Sequence, residues 1–262
     1  MKRMHLFEVM DQRWCPDVVR RLATDFMGTF LPKMRVHEPA LPSIVKAIVA
    51  TGATHVVDLC SGAGGPLLTY KAQIERDVGR SLSVTLTDLF PDARTAAHLE
   101  ERADASTRYL REPVDALDVP AEMTGFRTMF ESFHHFRPDD AKRILQNAVD
   151  RGEGIAVIEI TERSLATLAF LLVVSPLSVL LLTPLAKPFT WWRMLLTYVV
   201  PITPVLSLWE TGVSCMRTYT DDELRELTAA LRGPEYRWEF GRHFSKGPVR
   251  WMVGYPAHAT SA

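Results

Sequence analysis

The sequence predicts a doubly wound α/β domain with helices ahead of it and an apolar helical insertion near its end. Three observations point there. Short apolar runs alternate with helical patterns five times between residues 52 and 160. The first run, Val56-Val57-Asp58-Leu59, passes directly into the glycine-rich turn Cys60-Ser61-Gly62-Ala63-Gly64-Gly65. Two of the runs, at Asp58 and Asp88, close on a carboxylate. Strands covered on both faces read as continuous apolar runs, and sheets of this kind take ligands at the C-terminal ends of their strands.

The turn after the first strand carries the most information. Gly62 and Gly64 allow a sharp turn and a close approach of backbone to a ligand. Residues 67–76 read as a helix, so the loop presents a ligand to a helix N-terminus. A P-loop is excluded because no Gly-Lys-Ser/Thr follows, and a dinucleotide fingerprint because Leu67 stands where its third glycine belongs. What remains is an acid followed by glycines four and six positions later. That pattern resembles motif I of the class I S-adenosylmethionine-dependent methyltransferases, Asp-x-Gly-x-Gly-x-Gly, with Cys60 at the first glycine. Cysteine is small, so the departure reads as mild. The resemblance implies a mostly parallel seven-stranded Rossmann-like sheet, methyltransferase activity and S-adenosylmethionine as cofactor. It places cofactor contacts at Asp58, Cys60, Gly62, Ala63 and Gly64.

Taken in order, residues 4–50 read as helical, with Pro16 in a first turn and Pro39 and Pro42 interrupting before a second helix at 42–51. Residues 1–50 form an N-terminal cap, which in the resembled family often covers the cofactor cleft; Trp14, Phe26 and Phe30 read as core. Residues 83–88 form a second strand ending at Asp88. Alone, Asp88 would be a loop acid or the cap of the helix starting at Pro91-Asp92-Ala93. Beside motif I it is placed to accept from both hydroxyls of a ribose, with Leu89 adjoining. After a third strand, Asp115-Ala116 resembles the family segment whose acid accepts from the adenine amino group and whose small neighbour offers a backbone N–H.

Residues 126–136 are the fourth strand and its exit loop, ending His134-His135-Phe136. Many members of the family carry a similar tail beside the transferred methyl group. Histidine titrates closest to neutrality, so His134 and His135 are the candidate bases. Glu131 is a further catalytic and cofactor candidate, and Glu159 and Glu162 are reserves; each reads equally well as a satisfied structural group. A helix at 138–149 and a fifth strand at 154–160 follow. Thr220-Asp221-Asp222-Glu223 is a capping box, and 236–240 and 249–253 alternate as an antiparallel hairpin. The methyltransferase domain thus occupies 51–163 and 216–262.

Residues 164–215 are the insertion. Leu165–Leu185 holds 21 residues without a charge, a length that can span a bilayer. The chain must return to finish the same domain, so crossings would come in pairs. Lys187 and Arg193 in the connection oppose that under the positive-inside tendency, and Pro176, Pro184, Pro201 and Pro204 break the helices. The reading is a broken hairpin at 165–209 that dips into one leaflet with Trp191-Trp192 at the interface, or roofs a lipid-sized pocket. A core or homo-oligomer contact stays open.

Composition narrows the partners. Across 262 residues, 30 Lys plus Arg meet 31 Asp plus Glu. No basic stripe points to nucleic acid, and no Asp/Asn-Pro-Pro-Tyr motif follows the fourth strand. Cys15, Cys60 and Cys215 are far apart, which argues against disulfides and a zinc site and suits a reducing cytoplasm. No apolar run follows the basic start, so no signal peptide is expected. The sequence therefore points to methyl transfer from S-adenosylmethionine to a hydrophobic small molecule or lipid, on the cytoplasmic side of a membrane as a peripheral or monotopic protein, without a metal. The alternative is a catalytically inactive, methyltransferase-like subunit bound to the membrane.

Overall fold

The computed structural model describes residues 1–62, 64–101, 104–187, 189–244 and 246–257. Among these, seven strands form one sheet: β1 (His55–Leu59), β2 (Ser83–Leu86), β3 (Thr107–Tyr109), β4 (Phe126–Phe130), β5 (Ile155–Glu159), β6 (Tyr236–Phe244) and β7 (Pro248–Pro256). Their order is β3-β2-β1-β4-β5-β7-β6, with the first five parallel and β7 antiparallel to both its neighbours. The chain order reverses between β1 and β4, which opens a crevice at the C-terminal edge. This is the mostly parallel seven-stranded sheet that motif I implies.

Successive residues of a strand point to opposite faces, and the two cores follow. Val56, Val84 and Val253 pack under α2 (Leu41–Thr51), α3 (Leu67–Val78) and α4 (Ala93–Glu101). Val57, Met129, Val157 and Met252 pack under α5 (Pro138–Asp150) and α9 (Asp221–Ala229). Helix α5 buries Ala141, Ile144, Leu145 and Ala148, a three-and-four spacing that makes one apolar stripe. The capping box of α9 forms as read, Thr220 and Glu223 each serving the other's backbone N–H. In the hairpin, register sets Trp238 opposite Gly254 and Gly241 opposite Trp251. A Cβ on either glycine would lie about 2.2 Å or less from the facing indole, so these pairs admit no other residue without a shift.

Ahead of the sheet stands α1 (Asp17–Met34), and the insertion forms α6 (Leu165–Leu182), α7 (Trp191–Met194) and α8 (Ile202–Arg217). Helices α6 and α8 pair as a hairpin, with Ser175 bonded to Ser207 and Thr211 between them. The chain bends by 78° at Pro201, between 191–199 and 202–217. Among the described residues one helix, Leu165–Leu185, is long and apolar enough to cross a membrane, or two spans if the bent pair 191–199 and 202–217 counts as one, and little of Leu165–Leu185 is buried.

Four expectations are corrected. Residues 4–16 are not helical but form an extended strap with short turns. Tertiary partners take its backbone groups: the Met216 carbonyl accepts from Met4 N–H, Glu210 from Val9 N–H, and Arg217 donates to the Leu6 carbonyl. Trp14 is not core; it is 66% exposed. Pro176 and Pro204 do not break their helices but lie within α6 and in the first turn of α8. Arg193, read as an exposed charge opposing a membrane crossing, is not exposed. It is buried, and its Nη2 meets Asp25 of α1 at 2.6 Å.

Candidate functional site

The site is built from the loops that leave β1, β2, β3 and β4. After β1 the backbone turns left-handed at Cys60 (φ 58°), Gly62 (54°), Gly64 (99°) and Gly65 (59°). Glycine adopts this conformation freely and cysteine does not, so the departure at Cys60 is a strained position rather than the mild one its size suggests. Ala63 lies outside the described residues. A Cβ at Gly62 would meet nothing within 4 Å, whereas one at Gly65 would stand 3.1 Å from Asp58 Oδ2. The loop therefore presents open space on one side and packs on its own carboxylate on the other.

Asp58 is that carboxylate, and it braces the loop from beneath. Thr128 Oγ1 of β4 donates to its Oδ1 at 2.5 Å and Ser61 Oγ to its Oδ2 at 2.6 Å. Burial pushes its pKa up to about 7 against those two donors. Both Asp58 oxygens are thus engaged by side-chain donors. Burial also raises the Cys60 thiol well above its ordinary value, so it stays protonated at neutral pH.

Asp88 lies just beyond β2 and faces the loop. Its Oδ2 accepts from Gly62 N–H at 2.7 Å and its Oδ1 from Phe90 N–H at 2.8 Å. Burial raises its pKa; the two N–H donors and the charges of Arg20 and His135 oppose this. Leu89 is exposed beside it. The Val114 N–H donates to the Asp88 carbonyl at 2.9 Å, which draws the loop after β3 alongside. There Asp115 is exposed, its Oδ1 taking the Leu117 N–H at 2.9 Å, and Ala116 is buried. Tyr109 closes the floor by donating to the Gly62 carbonyl at 2.7 Å. From above, α1 lays the Arg20 guanidinium 4.2 Å over the Phe90 ring.

The β4 end carries the remaining candidates. Glu131 holds a left-handed φ of 54°, a second strained position on the strand next to Cys60. Strain of this kind collects at functional sites. Its Oε1 is 2.8 Å from His37 Nε2 and its Oε2 accepts from Ile160 N–H at 3.0 Å. Burial raises its pKa, with His37 opposing.

His134 and His135 form a turn directly after. Glu159 accepts from His134 N–H at 3.0 Å and pairs with its Nδ1 at 2.7 Å. Burial works to raise Glu159, yet this contact holds it below its ordinary range. His135 Nδ1 meets Asp11 at 2.7 Å and Glu8 at 3.2 Å. Burial opposes its charge, but those two carboxylates hold its pKa up to about 9. Glu162 stands apart, lining a cavity of about 350 Å³ with Thr161, Arg242, Phe244 and Arg250.

The structure thus joins Gly62 to Asp88, draws the loop bearing Asp115 and Ala116 alongside through Val114, and sets Asp58 beneath the glycine turn. It ties Glu131 to His37, His134 to Glu159, and His135 to Asp11 and Glu8. Sequence reasoning missed His37, Glu8, Asp11 and Arg20. All four come from the first 37 residues, and the acids Glu8, Asp11 and Asp17 were the one available signal.

No family model matches the chain, and no curated protein matches it. Among solved structures, the plantazolicin methyltransferase BpumL, in complex with SAH, superposes at a TM-score of 0.58 with 10% identity, over 92% of this chain and 91% of that one. The mitomycin 7-O-methyltransferase MmcR gives 0.52 and 16% over 95% and 59%. Human N-acetylserotonin methyltransferase, in complex with SAM, gives 0.51 and 11% over 91% and 57%. The chain spans less than three fifths of the latter two. The fold is that of the class I methyltransferases.

Proposed function

We propose that this protein is an S-adenosylmethionine-dependent methyltransferase acting on a hydrophobic small molecule or lipid at the cytoplasmic surface of a membrane. One observation carries the reading. At the point where strand order reverses, a glycine turn with open space before it meets the Asp88 carboxylate, and the loop bearing Asp115 lies alongside Asp88 through the Val114 N–H. The residues fit the cofactor. The acids supply acceptors for ribose hydroxyls and an adenine amino group, and each carboxylate oxygen keeps a lone pair beyond the one used here. The cofactor would bring a methyl group on a cationic sulfur. The chain's part is to hold both reactants in line and exclude water, with α1 as the cover.

Neither histidine offers a free lone pair to the crevice. His135 keeps its proton at neutral pH, and the His134 Nε2 faces Glu8 at 3.7 Å. Glu162 is the remaining candidate acid, in a cavity at the root of α6 where Phe170 meets Phe244 at 6.0 Å. A hydrophobic acceptor entering along the hairpin reaches that cavity first. Eighteen of the twenty-nine large apolar side chains exposed among the described residues lie between Leu165 and Trp209, including Trp191 and Trp192. Such a patch calls for an apolar partner, and a monotopic hairpin supplies one.

The test is methyl transfer itself. Full-length protein incubated with methyl-labelled S-adenosylmethionine and a membrane lipid extract should move label into the organic phase. Label left in the aqueous phase across lipid extracts and small hydrophobic acceptors would sink the enzyme reading. The inactive-subunit reading has one point in its favour, since both Asp88 oxygens already accept backbone N–H bonds. It requires cofactor binding without turnover, or no binding.

A further inference from the structure

The cofactor reading leaves unused a group of side chains where the N-terminal strap crosses the turn after β4. Glu8, His134 and His135 each place one donor atom within 4.8 Å of the others. Glu8 Oε1 is 3.7 Å from His134 Nε2, and Glu8 Oε2 is 3.2 Å from His135 Nδ1. Nitrogen and oxygen donors about 2.0–2.2 Å from a tetrahedral zinc ion stand roughly 3.3 Å from one another, close to these two separations, and the third lies within 4.8 Å.

Two further features point to an ion. His134 Nδ1 is anchored by Glu159 Oε2 at 2.7 Å. A carboxylate behind a histidine is the usual outer partner of a metal-binding imidazole, fixing its orientation and leaving the other nitrogen as the ligand. That other nitrogen, His134 Nε2, makes no hydrogen bond, although the residue is only 4% exposed and the atom is turned toward Glu8. Leaving a buried polar atom unsatisfied is unfavourable. The charge around it also matters. Glu8, Asp11 and Glu159 face Arg217, whose Nη1 lies 2.7 Å from Asp11, 3.4 Å from Glu8 Oε1 and 3.5 Å from His135 Nδ1. Arg217 and the Ser214 hydroxyl, at 3.1 Å, both reach Glu8 through Oε1, and only His135 approaches its Oε2. His135 Nδ1 also lies 2.7 Å from Asp11, and binding an ion there would displace the proton that Asp11 and Glu8 hold on it. The three carboxylates, set against the guanidiniums of Arg217 and of Arg3, which donates to the His134 carbonyl at 3.2 Å, then leave negative charge that a divalent cation can balance.

We propose that Glu8, His134 and His135 bind one divalent transition-metal ion of the zinc type. Two imidazoles and one carboxylate suit zinc, cobalt or nickel better than magnesium or calcium. The ligands come from segments more than a hundred residues apart, so the ion would pin the strap to the β4 turn. This proposal stands independently of the cofactor reading.

The experiment uses full-length, tag-free protein stripped with chelator. It is titrated with Zn²⁺ against a chromophoric competitor, and separately with Co²⁺ while recording d–d absorption. The expected result is one equivalent of Zn²⁺ bound at about 1 µM or tighter, with a rise in thermal midpoint and a low-symmetry Co²⁺ spectrum. Glu8→Gln and His134→Gln should each weaken binding by roughly 100-fold or more, while His98→Ala, an exposed histidine elsewhere, changes nothing. Absence of saturable binding overturns the proposal. So does binding that survives Glu8→Gln, a shape-preserving change that carries the test if His134→Gln does not fold. Binding that is lost in His98→Ala overturns it as well.

Discussion

The membrane reading can be tested on one stripe of α6. Val173, Leu177 and Leu181 recur every fourth residue and are 64%, 48% and 66% exposed. Full burial of such a side chain is worth about 2 kcal/mol, and half to two thirds of each is still outside the protein. Docking this stripe into an apolar layer therefore contributes about 1 kcal/mol per residue, or about 3 kcal/mol in all. Replacing the three by serine should lower membrane partitioning by roughly 100-fold. The same side chains contribute little to the fold, so each change should alter stability by less than about 0.5 kcal/mol. The assay is flotation of full-length protein on lipid vesicles, with thermal unfolding measured in parallel. Unchanged flotation of the triple variant would refute the reasoning, as would a large drop in melting temperature, since that would make the stripe a packing surface.

Three further outcomes follow from the interior. Buried Arg127 donates to Glu153 Oε2 at 2.7 Å and to Asn147; Glu153→Gln leaves its charge unbalanced and should cost about 3 kcal/mol in denaturant unfolding. At Cys60, with φ 58°, Cys60→Gly should hold stability within about 1 kcal/mol, whereas Cys60→Val should lose about 2 kcal/mol, because a β-branched residue resists that backbone. Asp58 has a folded pKa near 7, above its unfolded value of 3.8. The folded state thus binds the extra proton between those limits, and this group's contribution to stability falls as pH rises from about 4 to 7. The stability difference between Asp58→Asn and wild type should therefore shift in favour of the variant across that window; a flat difference would contradict the buried, neutral Asp58.

The parts of the site readable in the sequence are those encoded by neighbours along the chain. The β1 run with its glycine turn, Asp88 beyond β2 and the Thr220 capping box each carry their own local physics. What escaped notice depends on partners far away in sequence. His37 finds Glu131 only because the segment before α2 folds across the end of β4. The strap 4–16 has apolar residues at helical spacing, but α8 side chains and carbonyls claim its backbone, and tertiary contacts outweigh propensity. Arg193 counted as a charge against a membrane crossing, yet Asp25, from a distant helix, stands beside it. The strain at Cys60 and Glu131 is a backbone property that residue size does not reveal.

The most direct measurement of the central claim is calorimetric titration of the full-length protein with S-adenosylmethionine, beside Asp88→Ala. The account predicts one molecule bound per chain by wild type and at least roughly tenfold weaker binding by the variant, the loss of a charge-assisted hydrogen bond worth about 1.5 kcal/mol or more. No heat from wild type, or equal affinity in the two proteins, would contradict it.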